Sequence, residues 1–471
     1  MSQAQSPAAL ELREAVLLIV GVVLGAGIFK APSIVAEATG DTAWMFGAWI
    51  LGGAISLAGA LCYAELATAY PHPGGEYNFL KRAYGRRVGF LFGWARFSVI
   101  ITSSIALLAF VFGDYMQHVL PLRLGPVPGS AVWALACVGV LWLVNDGGLK
   151  PGARAQAWMT LAEVAGLLLI VVAALWLVAG GVPPATVPAA PAAGGGGASA
   201  PGLAAFGLAM VFVLLTYGGW NEAGYISSEL KGGSRNMVRT LVISLLVITV
   251  LYLLVTWAYW RGLGIGGMAK SQAIAADLLE VAFGSAGATL ISIMVAVASV
   301  TSINATMILG ARCHYAVSCD WPALDRVASW DAAGSTPRTA MRLQNLAALL
   351  LIGLGAWAGA GFTAVVEFSA PVFWFFFLLS GLSLFVLRVR EPEVPRPFRV
   401  PLYPVVPALF CASCAYMLWS SLSYVSSEKV AGINAAWIGV GVLLTGIVLL
   451  GVMYVAGGPR LAPARVPEQN R

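Results

Sequence analysis

Charge is scarce in this sequence. Asp, Glu, Lys and Arg together make 10% of 471 residues, against about 25% in ordinary soluble domains. Hydrophobic residues make 59%. No water-soluble fold of this size hides that much apolar surface, and the apolar runs recur along nearly the whole chain. One membrane domain is therefore the better reading than the several soluble domains suggested by length alone. Histidine is scarcer still. His72, His118 and His314 are the only three, all at loops or span edges, and no Ser/His/Asp set or metal cluster can be assembled from them. No enzymatic chemistry and no cofactor are expected. The net charge of +6 is dispersed through short loops instead of forming one stripe, so nucleic acid is not an expected partner. Cys411 and Cys414 have a C-x-x-C spacing, but they lie within an apolar run with no further ligands. Met1 to Ala9 is polar and lacks a signal-peptide cleavage pattern, so the first span is expected to stay in the mature protein.

What the sequence has in quantity is long apolar runs. A helix crosses the hydrocarbon core in about 20 residues. That ruler gives about twelve spans, near 15–36, 43–69, 88–113, 129–146, 156–180, 203–226, 238–260, 284–310, 341–359, 363–387, 404–424 and 433–456. With the N-terminus placed inside, 21 of the 27 Lys and Arg fall in cytoplasmic segments and only Arg123, Arg261, Lys270 and Lys429 in outer loops. The positive-inside rule then predicts that both termini are cytoplasmic, in a cell (inner) membrane. Lys30 and Arg96 lie inside spans. A Gly/Ala/Pro-rich, uncharged stretch at about 181–202 reads as a flexible external linker. It separates a first five-helix repeat, 15–180, from a second, 203–387. Two additional spans, 388–456, follow. Residues 1–14 and 457–471 are cytoplasmic ends.

Two of these spans should not be continuous. The first contains Gly25-Ala26-Gly27-Ile28-Phe29, followed by Lys30 and Pro32. The sixth contains Thr216-Tyr217-Gly218-Gly219-Trp220-Asn221. Glycine in a helix interior costs about 1 kcal/mol relative to alanine and proline about 3. In lipid, unpaired backbone survives only where protein or a wet cavity satisfies it. A Gly-x-Gly alone marks close helix packing as readily as a break. Here, however, the two interruptions fall in the first helix of each five-span group, the pattern of an inverted repeat whose broken helices meet at the midplane. Amide groups freed there can hold a carboxylate, and freed carbonyls can hold an ammonium or a cation. Together they suit the head group of an α-amino acid.

The GAGIF segment with Pro32, the block YAELATAYPHPGGEYNFLKRAYG from Tyr63 to Gly85, YGGWN from Tyr217, SSELKGGSRNMVR after it and RPFRVPLYPVVP from Arg396 carry a resemblance. The chain is similar to the amino acid–polyamine–organocation superfamily, and within it to the L-type amino-acid transporters, from about residue 12 to 455. The resemblance implies an all-α integral membrane fold, a five-plus-five inverted repeat with broken helices 1 and 6, and alternating access. It implies that a substrate carboxylate meets Gly25, Ala26 and Gly27, with Ile28 close by. The amine would meet carbonyls around Val22, Leu215 and Gly218. Leu215 and Trp220 match the family's bulky gate, and Asn304 matches a position lining the side-chain pocket. Glu76 and the basic run from Lys81 to Arg87 resemble the family's cytoplasmic loop.

Three departures stand out. The loop at about 114–128 lacks the cysteine through which eukaryotic L-type transporters bond a heavy chain, so no disulfide-linked partner is expected. Glu163 occupies the position where many relatives carry a lysine. Lys30 follows GAGIF, where the residue is usually uncharged. An ionisable group at midspan costs about 2.5–3.5 kcal/mol on insertion scales, so each should have a partner or a task. Glu163 is expected to face Ser299 and the first span and to bind sodium or exchange a proton, or else to form a structural pair with Lys30 or Arg96. Glu222 could attract a cationic substrate or close a gate with Lys30. Asp114 and Glu65 read as solvated or packing charges near span ends. The leading reading is secondary transport of a free, neutral amino acid. A cationic amino-acid or polyamine exchanger is the alternative within the class. A channel would need a selectivity ring, and a receptor would not need paired broken helices.

Overall fold

The computed structural model of the chain describes residues 11–72, 74–122, 127–147, 153–183, 201–221, 233–330, 337–357, 361–425, 429–430 and 433–459. In chain order the helices are α1 (Leu12–Val23), α2 (Ala31–Thr39), α3 (Thr42–Ala69), α4 (Glu76–Tyr84), α5 (Arg86–Ala95), α6 (Ile101–Val119), α7 (Gly129–Asp146), α8 (Ala153–Ala179), α9 (Leu203–Thr216), α10 (Gly233–Lys270), α11 (Ile274–Cys319), α12 (Arg338–Trp357), α13 (Gly361–Arg390), α14 (Val405–Val425) and α15 (Ala435–Val455). A two-residue pair, β1 (Lys429–Val430) with β2 (Ile433–Asn434), is antiparallel. Among the described residues ten helices are long and apolar enough to cross a membrane, and α9 is a shorter apolar one. The chain is an all-α integral membrane protein. Its outward surface agrees: Leu143 on α7, Leu168 on α8 and Val448 on α15 are among many exposed large apolar side chains. Such a surface is stable against lipid and costly against water.

Local chemistry explains the helix ends. Asp41 caps α3 by accepting from the amides of Ala43 and Trp44. Gly40, at φ 60°, closes α2 in the left-handed conformation that glycine adopts without a steric penalty. α5 runs into α6 through a π-helical turn, Arg96–Ile100. α10 and α11 each contain a glycine at positive φ, Gly264 and Gly284. The segments beyond these bends, with the turn at Ser271–Ala273 between them, form a helical hairpin where the sequence reading had only an outer loop.

The basic residues at one end are tied by ion pairs. Of the two readings given for Glu65, a solvated or a packing charge, the structure bears out the second. Glu65 is 1% exposed, accepts from Arg388 at 2.8 and 2.6 Å, lies 3.5 Å from Arg396 and also receives the amide of Val400. This joins the end of α3 to that of α13 and to the turn before α14. Arg82–Glu391 and Lys81–Asp320 fasten α4 to neighbouring elements at the same end. His314 sits in the last turns of α11, buried and edge-on to Phe97.

Candidate substrate site

Between α1 and α2 the helix is interrupted. Gly25 is extended (φ −89°, ψ 171°), and Ala26–Phe29 makes one 3-10 turn that Lys30 closes. α9 stops at Thr216, the amides of Tyr217 and Gly218 bond back into its last turn, and Gly219 takes φ 110°. The two interruptions touch. A Cβ added at Gly27 would lie 3.2 Å from Thr216 Oγ1 and 3.4 Å from its Cα, so only glycine permits this approach without displacement of the neighbour.

Beside this contact lies a cavity of about 450 Å³. Gly21 and Gly25 line it from α1 and its break, Leu215, Gly218, Gly219 and Asn221 from the second break, and Glu163 from α8. Ser104, Thr301, Ser302 and Thr306 add a hydroxyl-bearing wall, and Phe373, Phe376 and Phe377 an aromatic one. One end is bounded by Glu76 and Arg96, a buried ion pair at 3.1 Å in which Glu76 also accepts from the Tyr63 hydroxyl at 2.6 Å. Arg96 opens the π-helical turn, a distortion that occurs often at functional sites.

Of the expected site residues, Gly25, Leu215, Gly218 and Glu163 line this cavity. Ala26 and Ile28 are fully buried in the turn between α1 and α2, and Gly27 faces Thr216. Trp220 packs edge-on to Tyr63, Phe377 and Phe410. The Asn304 side-chain oxygen accepts from the Asn145 amide at 2.8 Å. Ser299 donates to its own helix at Val295. The side chain of Val22 and the whole of Glu222 lie outside the described residues.

The expected pairing of Lys30 or Arg96 with Glu163 is not formed. Lys30 leaves the break on the side away from the cavity. Its Nζ donates to Asp114 Oδ2 at 2.7 Å, to the Gln272 carbonyl at 2.8 Å and to Gln272 Oε1 at 3.0 Å. Arg96 is held by Glu76. Glu163, 4% exposed, has an Oε1 without a hydrogen-bond partner among the described residues. Asp114, read from the sequence as a solvated or packing charge near a span end, is the partner of Lys30 on a helix that continues to Val119.

Sequence reasoning missed several residues around the breaks. Tyr115 donates to the Phe29 carbonyl at 2.8 Å and accepts from the Ala275 amide at 3.2 Å, so it joins the first break to the hairpin. Tyr252 reaches the carbonyls of both Val23 and Thr216. Asp114 carried a signal, a carboxylate within reach of an apolar run that also needed a partner for Lys30. The tyrosines carried none, because an aromatic in an apolar span reads as core.

The profile of the amino acid permease family matches residues 10–447. The chain is similar to the large neutral amino acids transporter small subunit 2 of Mus musculus, 27% identical over 437 residues, covering 91% of this chain and 78% of that protein. It is similar to the Asc-type amino acid transporter 1 of Mus musculus, 27% identical over 451 residues, covering 94% and 81%. It is also similar to the serine/threonine exchanger SteT of Bacillus subtilis (strain 168), 27% identical over 414 residues, covering 87% and 90%. Matched over nearly its full length, and built around two glycine-broken helices that meet beside a cavity, the chain belongs to the amino acid permease family.

Proposed function

We propose that this permease carries a free, neutral amino acid across the cell membrane by alternating access, with both termini cytoplasmic. The observation that carries the reading is the contact between the two glycine breaks at Gly27 and Thr216, with a cavity of about 450 Å³ beside it. A small zwitterion fits that volume. Its carboxylate would take amides freed around Gly25 and its ammonium the carbonyls at the ends of α1 and α9. The names of the relatives, transporters of neutral amino acids and an exchanger of serine and threonine, favour an uncharged substrate side chain. Taken with the broken pair α1/α2 and with α9 as a span, the ten long apolar helices are consistent with twelve crossings in an inverted five-plus-five arrangement.

Beyond the breaks, Lys30, Tyr115 and the hairpin close one side, while the cavity runs towards Glu76 and Arg96 near α4. With the basic segments cytoplasmic, this favours an inward-facing state. Glu163 favours cation coupling, because a buried carboxylate that lines the cavity can take a proton or a sodium ion from it. The same group favours a cationic amino acid or polyamine as the alternative substrate.

Uptake of a radiolabelled amino-acid panel into proteoliposomes tests both points, with and without a proton gradient, sodium and internal unlabelled substrate. The coupled reading expects neutral amino acids to accumulate with a gradient, and Glu163→Gln to abolish the gradient effect while leaving exchange. Unchanged gradient dependence in Glu163→Gln would remove the coupling role. Preference for lysine or putrescine would replace the neutral substrate.

A further inference from the structure

The Glu76–Arg96 ion pair does something that a tie between two segments does not require: it faces the cavity. Its side chains are each 5% exposed and meet at 3.1 Å, and both residues line the cavity. Glu76 opens α4, and Arg96 opens the π-helical turn between α5 and α6. That turn decides where Arg96 points. Phe92, Arg96, Ile100, Ser104 and Leu108 line the cavity, one residue in every four. In an unbroken α-helix, steps of four from Phe92 to Leu108 would wind about 160° away from the starting face. A π turn closes one residue later and takes back about 100° of that rotation. Here the Ile101 amide donates to the Arg96 carbonyl, and Arg96 stays on the same wall as Ser104. Single π turns of this kind occur often at functional sites.

Stability does not account for the pair. Two buried ions give up hydration that their attraction only partly returns, and apolar residues of similar volume are often as stable. What the pair does present is a cation and an anion 3.1 Å apart at one end of the cavity. An α-amino acid carries the complementary charges on a single carbon. Its carboxylate can take the guanidinium fork. Its ammonium can take the Glu76 carboxylate, which the Tyr63 hydroxyl steadies at 2.6 Å. We propose that Glu76 and Arg96 form a second, transient site for the substrate's head group, between the breaks and the cytoplasm. A substrate leaving the breaks exchanges their backbone groups for these two side chains before release, and one entering from the cytoplasm meets them first. The proposal rests on the cavity being an amino-acid pathway open to the cytoplasm.

Arg96→Lys keeps the charge and loses the fork. Glu76→Gln keeps the shape and an acceptor for Tyr63 and loses the charge. The control is Arg82→Lys, which alters the Arg82–Glu391 pair at the same end of the molecule but away from the cavity. Exchange of a labelled neutral amino acid is measured in vesicles of one orientation. Internal concentration is varied at saturating external concentration, and then the reverse. In Arg96→Lys and in Glu76→Gln the internal half-saturation concentration rises about tenfold, the scale of one lost hydrogen bond to a charged group. The external value stays within about twofold, and the melting temperature in detergent matches that of Arg82→Lys. Unchanged internal values in both variants, or an equal rise on both sides, overturn the proposal. So does failure of both to accumulate where Arg82→Lys does, because the pair then serves the fold. If the unaltered protein moves no amino acid, the transport reading fails first and the second site falls with it.

Discussion

A lysine that is 6% exposed keeps its charge only among acceptors, and Lys30 has three: one carboxylate oxygen and two oxygens of Gln272. This arrangement joins the first break to α6 and to the hairpin, and Tyr115 reinforces the same junction from the Phe29 carbonyl. Removing one member of a buried pair leaves the other uncompensated, a loss of about 3–5 kcal/mol. Lys30→Met and Asp114→Asn should each lower the melting temperature in detergent and bias the protein towards opening on that side. The exchange Lys30→Asp with Asp114→Lys should recover part of the loss, since the charges again face one another. A cysteine placed at Gln272 reports the opening through its labelling rate by an impermeant reagent. An unchanged rate in both single variants would mean that the pair does not hold the hairpin down. Asp114 carried a signal beforehand, but its pairing with Lys30 and the part of Gln272 were not legible. Lys30 is 84 positions from Asp114 and 242 from Gln272, and hydropathy says only that a buried charge needs a partner. Glu163 and Lys30, linked in expectation because both were unusual, lie apart: Lys30 is held by Asp114 and Gln272, while Glu163 lines the cavity.

At the scale of elements, the breaks were the readable part. Glycines inside apolar runs, and Pro32 just after the first of them, mark where an intramembrane helix cannot continue, and both interruptions are where composition put them. The hairpin between α10 and α11 was missed. Its two arms are short, and helical periodicity over so few residues is hard to distinguish from a loop that happens to be apolar. Gly264 and Gly284 make the bends at φ 65°, ψ 165° and φ 71°, ψ −166°, a region that essentially only glycine adopts and that costs a residue bearing a Cβ about 1–3 kcal/mol. A Cβ at Gly284 meets nothing within 4 Å, so Gly284→Ala tests backbone strain free of packing. It should lower stability by about 1–3 kcal/mol and leave KM unchanged, which melting in detergent and uptake kinetics can read together. A variant as stable as the parent would show that the bend is not strained.

For the molecule as a whole, the fold class followed from the scarcity of charge and the length of the apolar runs, because bilayer thickness sets helix length. The cavity was less legible. Which face of each helix turns inward depends on packing among spans, which composition does not give: Asn304, matched to the pocket, is bonded to Asn145, and Trp220, matched to the gate, packs among aromatic rings. The central claim is that the two breaks, in contact at Gly27 and Thr216, form the receptor for an amino acid. It is tested most directly by counterflow of a labelled neutral amino acid in proteoliposomes, comparing the unaltered protein with Gly27→Val, whose side chain has no room against Thr216. The account predicts saturable counterflow in the former and a loss of at least about tenfold in the latter, the effect of displacing one recognition contact by more than 1 kcal/mol. Equal counterflow in both, or none in the unaltered protein for any amino acid, would contradict it.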